Sequence, residues 1–358
     1  MKEFSCQTKF VMGAGATKAL EELHLGRILV VSDPFFSKNG WAQRLGNLAR
    51  SHAIFDRVVP DPSVALVAEG TAQLLEFQPD GVVALGGGSA IDCAKAMVYF
   101  SGLDVPLIAV PTTSGSGSEV TDFAILTHEG VKHPLVDQKL RPQMAILEEE
   151  LLLDMPPALI ADSGYDVLAH ALEAWVGKNA NPMTDALAQN AFATVFSRLP
   201  DSFAGDNRVR LAIHAASTMA GLAFTQAGLG LCHAMAHSLG GQFHLPHGRL
   251  NAILLPAVVS CNSQQAGSRY AALARQIGLG GSSDAIALRN LKNGLIRLRN
   301  QLKLPATLAQ AGISVKQLQE QEKQIIAAAL QDPCCETNPV PVTEDMVKQV
   351  LREVAGRG

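Results

Sequence analysis

The chain has 358 residues, 47% of them hydrophobic and 17% charged, with a formal net charge of −4. That length points to two domains, each able to bury a sizeable core. The charge balance offers neither the basic patch that nucleic acid needs nor a polybasic run suited to a membrane surface.

The stretch "MKEFSCQTKFVMGAGATKAL" has no apolar run of the signal-peptide kind. No window reaches the about 20 uninterrupted apolar residues of a transmembrane helix. Six cysteines (Cys6, Cys93, Cys232, Cys261, Cys334 and Cys335) are scattered without a C-x-x-C pair. Together these lead us to expect a cytoplasmic chain in a reducing compartment.

The first 150 or so residues alternate strand and helix patterns. "RILVVSD" (Arg27–Asp33) reads as a buried parallel strand. "GVVALGGG" (Gly81–Gly88) is a second, followed by a helical pattern in "SAIDCAKAMVYF". "VPLIAVPTTSGSGSE" (Val105–Glu119) is a third and ends in a loop of small residues, and "MAIL" (Met144–Leu147) reads as a fourth. This alternation predicts an α/β domain with a mostly parallel sheet. Beyond "DMPPALIADSG" the pattern is helical: "YDVLAHALEAWVG", "MTDALAQNAFATVFSRL", "VRLAIHAASTMAGLAF", "SSDAIALRNLKNGLIRLRNQL", "SVKQLQEQEKQIIAAALQ" and the tail "EDMVKQVLREVAG". Pro156 and Pro157 cannot continue a helix from upstream, so we expect domains at 1–157 (α/β) and 158–358 (all-α).

Two loops invite a phosphate-bearing ligand. Gly86, Gly87, Gly88 and Ser89 follow a strand and open a helix, whose first N–H groups and dipole favour an anion. The G-x-G-x-x-G spacing is missing, and a tight strand-to-helix turn is the plainer reading. Thr112, Thr113, Ser116 and Ser118 bring hydroxyls to the second loop, which reads alternatively as a flexible surface loop. Both loops fall at strand ends, where open α/β sheets bind ligands. Asp33 ends an early strand and suits either the adenosine ribose of NAD or a turn before Pro34.

The segment "CHAMAHSLGGQFHLPHG" holds His233, His237, His244 and His247, out of ten histidines in the chain. His233 and His237 share a helix face. His247, between Pro246 and Gly248, reads as a turn residue, and Asp166 and His170 lie four apart on another helix. One carboxylate and three imidazoles suit Fe²⁺ or Zn²⁺ rather than Mg²⁺. The plainer readings are core histidines, which we adopt for His214, and a helix-start acid for Asp166. His237 is surplus to four ligands and is assigned a proton relay or substrate contact. His244 reads as a wall residue.

In combination, "GGGSAIDCAKA", "PTTSGSGSEVT", "MPPALIADSGYDVLAHALEA" and "GLGLCHAMAHSLGGQFHLPHGRLNAILL" resemble the iron-containing (group III) alcohol dehydrogenase family over nearly the whole chain. "KHPLVDQKLRPQMAIL" and "GGQFHLPHG" carry a narrower likeness to the 1-propanol-forming branch of propanediol-utilisation microcompartments, with the ethanol-forming branch of ethanolamine utilisation next. The resemblance implies a Rossmann-like domain, a helical domain, and NAD and metal in a cleft between them. It puts the metal ligands on Asp166, His170, His233 and His247 and the diphosphate loop on Gly86, Gly87, Gly88 and Ser89. Thr112, Thr113 and Ser118 match other cofactor contacts. Lys132 matches a lysine near the nicotinamide ribose, and Asp33 the acid linked to NAD preference. Three positions depart from the family pattern. Asp61, in "PDP", replaces an amide that contacts the cofactor. Arg249 replaces a small aliphatic residue after "PHG". Glu148 stands where aspartate is common, a change we read as structural.

The implied activity is NAD(H)- and metal-dependent interconversion of short-chain aldehydes and primary alcohols, in the direction of aldehyde reduction. A homodimer, with microcompartment shell or enzyme partners, is implied as well. Rivals on the same architecture are a glycerol-type dehydrogenase and a dehydroquinate synthase-like lyase. The lyase needs several basic residues for a phosphorylated substrate, and the apolar helix around "DVLAHALEAWVG" argues against it.

Overall fold

The computed structural model describes residues 4–129 and 131–356. Its packing forms two compact units, one of Ser5–Met155 with Arg210–Gly221 and one of Pro156–Val209 with the chain from Leu222 onward.

The first unit is built on a six-stranded parallel sheet. Strands β1 (Lys9–Gly13), β2 (Arg27–Ser32), β3 (Ser51–Phe55), β4 (Gly81–Gly86), β5 (Leu107–Pro111) and β8 (Met144–Glu148) lie in the order β1-β8-β5-β4-β2-β3. Successive side chains of a strand point to opposite faces, and here both faces are apolar. Leu29, Val31, Val82, Ala84, Leu107 and Ala109 pack on helices α3 (Val64–Phe77) and α4 (Gly88–Ser101). Ile28, Val30, Val83, Leu85, Ile108 and Val110 face the other way, against Leu20, Ala42 and Leu45. Burial on both sides is why the central strands are continuous apolar runs. Short helices α1 (Pro34–Lys38) and α2 (Trp41–Gly46) follow β2.

Three parts of this unit escape the sequence patterns. Edge strands β1 and β3 are partly exposed and of mixed composition. Strands β6 (Phe123–His128) and β7 (Val131–Val136) form a separate antiparallel hairpin. Buried Lys95 on α4 pins it, donating to the carbonyls of Thr121 (3.0 Å) and Phe123 (2.8 Å), while Asp92 accepts from the Ile125 N–H at 3.0 Å. Glu148, fully buried, accepts from the Gly15 N–H (2.9 Å), the Thr17 N–H (3.0 Å) and the Thr17 hydroxyl (3.1 Å), a structural role.

The second unit is helical: α5 (Pro157–Val176), α6 (Pro182–Phe203), α8 (Leu231–Phe243), α9 (His247–Gln276), α10 (Asp284–Gln301), α11 (Val315–Gln331), α12 (Cys334–Thr337) and α13 (Glu344–Val354). Helix α5 is its axis, buried almost continuously from Ile160 to Val176 and packed on α6 and α9. Gly164 permits the approach of α6, since a Cβ there would lie 2.4 Å from Leu199. None of the helices among the described residues is long and apolar enough to cross a membrane.

The chain does not divide at a single point. Residues 210–221, the first turns of α7 (Arg210–Ala227), belong to the sheet unit. Their polar groups explain it. Arg210 donates to the carbonyls of Leu152 and Leu153, His214 Nδ1 bonds the Ser114 hydroxyl at 2.9 Å, and the Thr218 hydroxyl donates to Glu119 at 2.6 Å.

Candidate active site

Asp166 and His170 are one helical turn apart on α5 and project together. His233 lies in the first turn of α8. His247 is not a turn residue: it heads α9, after a break at His244–Pro246 in which His244 takes a left-handed conformation (φ 54°). Pro246 precedes the helix without breaking it, because the first N–H groups of a helix need no intrahelical partner. Gly248 lets α9 begin against α5, since a Cβ on it would sit 1.9 Å from the Asp162 carbonyl oxygen. Arg249 then forks onto the Asp162 carboxylate, Nε to Oδ1 at 3.1 Å and Nη2 to Oδ2 at 2.9 Å. The unusual arginine thus clamps α9 to α5.

These contacts bring donor atoms of Asp166, His233 and His247 within 4.8 Å of one another. Asp166 Oδ1 is 3.8 Å from His233 Nε2 and 3.6 Å from His247 Nε2. A tetrahedron with metal–ligand bonds of about 2.1 Å has edges of about 3.4 Å, so the donor set fits a divalent ion of the iron or zinc class. The His170 ring stacks on His233 (centroids 4.5 Å apart) and on Phe224 (4.4 Å).

Two further residues serve this group and were not singled out in the sequence. Asn251, one turn after His247, directs its amide Nδ2 to Asp166 Oδ1 at 2.6 Å and lies 3.3 Å from Nε2 of both His233 and His247. Glu173, buried three residues beyond His170, meets His233 Nδ1 at 2.6 Å and accepts from the N–H groups of Gly230 (2.9 Å) and Cys232 (2.7 Å). It fixes the ring so that Nε2 faces Asp166, the usual task of a carboxylate behind a ligating histidine. The spacings D-x3-H-x2-E and H-x3-N carry this signal in the sequence.

The electrostatics follow from the clustering. Burial favours a neutral Asp166, but the neighbouring imidazoles of His170, His247 and His233 outweigh it and hold the carboxyl well below its usual range. Burial also opposes a charged His233, yet the nearby Asp166 carboxylate and the hydrogen bond to Glu173 push it up to about 9. His247 is held well below the ordinary histidine value, chiefly by burial, so its ring stays neutral and able to ligate. His237 stacks on His247 (5.1 Å, 15°), and its Nδ1 meets Asp332 Oδ2 at 2.8 Å. Burial would raise the Asp332 carboxyl, but His237 brings it down to about 2.

In the sheet unit the two small-residue loops meet. Gly86 has a left-handed φ of 151°, and a Cβ on it would be 2.6 Å from that of Ala90. Cβ atoms on Gly87 and Gly88 would touch Thr113 (3.1 Å) and Ser116 (2.9 Å), and the Thr112 N–H donates to the Gly86 carbonyl at 3.0 Å. Gly87 occupies the N-cap of α4, so Gly88 and Ser89 lie in its first turn. Ser118 is buried near Asp92. Asp33 caps α1, its Oδ1 accepting from Phe35 (2.8 Å) and Phe36 (3.2 Å), while a Cβ on Gly86 would be 3.7 Å from its Oδ2. The turn role of Asp33 is therefore real, and one oxygen still faces the glycine loop. Lys132 is on β7 and pairs with Asp61 at 2.5 Å, so the unusual aspartate engages the lysine. His214 is a buried core histidine.

Known proteins resemble this chain in sequence and fold. The model of the "Iron-containing alcohol dehydrogenase" family matches residues 7–149, and that of the "Fe-containing alcohol dehydrogenase family, C-terminal" matches residues 160–355. The 1-propanol dehydrogenase PduQ of Salmonella typhimurium is 39% identical over 369 residues, covering 99% of this chain and 100% of its own. The iron-containing alcohol dehydrogenase of Thermococcus thioreducens superposes with a TM-score of 0.92 at 31% identity, covering 98% of this chain and 99% of its own. Sulfoacetaldehyde reductase of Bifidobacterium kashiwanohense, solved in complex with NAD⁺, superposes with a TM-score of 0.91 at 26% identity over 100% of both chains. The chain belongs to the iron-containing alcohol dehydrogenase family.

Proposed function

We propose that this enzyme interconverts short-chain aldehydes and primary alcohols with NAD(H), propionaldehyde and 1-propanol first among them. The observation that carries the reading is the convergence of Asp166, His233 and His247 on one point, with His170 stacked beside them. In this reading Asp166, His170, His233 and His247 hold Fe²⁺, with Zn²⁺ as the alternative occupant. When bound, the metal supplies a Lewis acid and the nicotinamide a hydride donor or acceptor. The residues around them do the rest. Glu173 orients His233, and Arg249 with Gly248 keeps His247 in register with Asp166. His237, with Nδ1 engaged by Asp332, keeps Nε2 for moving the proton that the alcohol gains or loses. The N–H groups opening α4 and the hydroxyls of Thr112, Thr113 and Ser118 form the cofactor's diphosphate and ribose subsite, with Lys132 toward the nicotinamide ribose and Asp33 setting the preference for NAD.

The similarity to PduQ, a 1-propanol dehydrogenase, supports the substrate choice and a place within a propanediol-utilisation microcompartment, among its shell or enzyme partners. A homodimer completes the proposal.

The test is direct. Purified protein with Fe²⁺ and NADH should consume NADH on addition of propionaldehyde, and no consumption with any small aldehyde would reject the reading. His247→Ala should lose bound metal and activity together with its fold intact. Normal activity in that variant would remove His247 from the ligand set.

A further inference from the structure

A second group of unlike ligands lies near the first. His237 on α8, Asp332 just after α11 and Cys334 at the start of α12 each bring one donor atom within 4.8 Å of the other two. Two hydrogen bonds fix their arrangement. The Cys334 N–H donates to Asp332 Oδ1 at 2.8 Å, and Asp332 Oδ2 meets His237 Nδ1 at 2.8 Å. All three side chains are half-buried, open enough for an ion to enter and enclosed enough to hold it. The neighbouring Cys335 thiol is committed elsewhere, donating to the Ala329 carbonyl at 3.0 Å.

We propose that His237, Asp332 and Cys334 form a second cation site that takes a borderline divalent ion of the zinc class. The chemistry of the three donors selects this class. Imidazole, carboxylate and thiolate together suit zinc, whereas magnesium and calcium prefer oxygen alone. The charges agree, because a carboxylate and a thiolate neutralise a divalent ion and add no net charge beside the first donor set. Burial and the Asp332 carboxylate push the Cys334 thiol well up, so the thiol keeps its proton until a cation replaces it and the proton leaves to water.

Occupancy has a consequence that rests on the proposed function. His237 is the proton-handling residue there, so an ion that engages it inhibits the enzyme. The site itself stands independently of that reading.

Cobalt separates the two. With its first donor set filled, the full-length protein should show only ligand-field bands, because that set contains no sulfur. A second equivalent of Co²⁺ should add thiolate-to-cobalt charge-transfer absorption in the near ultraviolet, and Zn²⁺ should displace it. Cys334→Ser should abolish the charge-transfer band, retain the ligand-field bands, and weaken inhibition by added Zn²⁺ about tenfold or more. Cys334→Ala serves the same end should the serine variant misfold, and Cys335→Ser should keep the band. Absence of the band in the unmodified protein, or its survival in both Cys334 variants, overturns the proposal. Asp166→Asn distinguishes the two readings: it should lose the ligand-field bands of the first set and the activity, yet keep the charge-transfer band. Retained activity there would fault the proposed function and leave the second site standing.

Discussion

Glu173→Gln keeps the shape of a buried side chain and replaces one acceptor oxygen by a donor. In the native arrangement Oε2 serves the Gly230 N–H and His233 Nδ1, and Oε1 serves the Cys232 N–H. The least costly orientation turns the new NH₂ toward Cys232 and leaves that one N–H unsatisfied. A buried donor without a partner costs about 1–3 kcal/mol, so stability should fall by about 2 kcal/mol. His233 then retains a neutral acceptor in place of a carboxylate. Such changes behind a ligating histidine lower metal affinity about 10- to 100-fold, or about 1.4–2.7 kcal/mol. Denaturant unfolding measures the first quantity, and competition with a chromophoric chelator measures the second. A metal dissociation constant within about twofold of the native value, in a folded variant, would refute the orienting role of Glu173.

Three further outcomes are expected. Gly248→Ala must separate α9 from α5, because its Cβ would lie 1.9 Å from the Asp162 carbonyl; a loss of about 1–3 kcal/mol, with falling metal content, should appear in thermal unfolding and metal analysis, and native values would mean that α9 does not need this contact. Burial holds His214 at about 4, below the ordinary 6.5, so only the unfolded chain binds a proton between those values; its contribution of about 3 kcal/mol is complete above pH 6.5 and lost as pH falls toward 4, and His214→Gln should flatten the stability profile across that window. Asp33→Gly should relax the preference for NADH over NADPH with little loss of stability, since glycine is tolerated at a helix N-cap; an unchanged kcat/KM ratio would clear Asp33 of the role.

The central strands were legible because burial on both faces makes them uninterrupted apolar runs, as in Gly81–Gly86. Edge strand β3, "SHAIF", shares its composition with loops and has no such pattern. The β6–β7 hairpin contains Pro134, and its sequence has Glu129 before a glycine where Asn or Asp is the usual hairpin signal, so neither strand stands out. Asp166, His170, His233 and His247 stand out in the sequence as spaced pairs and through the family resemblance, and the structure gathers the donor atoms of Asp166, His233 and His247. Their supports do not stand out. Asp162 finds Arg249 87 residues away, and His237 finds Asp332 95 residues away, separations that local periodicity does not encode. His247 looked like a turn because Pro and Gly flank it, yet both suit the opening of a helix that must press closely on another.

All four proposed ligands belong to the helical unit. Whatever free energy a cation releases on binding therefore protects that half of the chain, by mass action on its folded form. Removing the cation should therefore lower the temperature at which the protein unfolds, through the helices that carry the ligands. A cell short of iron would then hold less of this enzyme in its folded form.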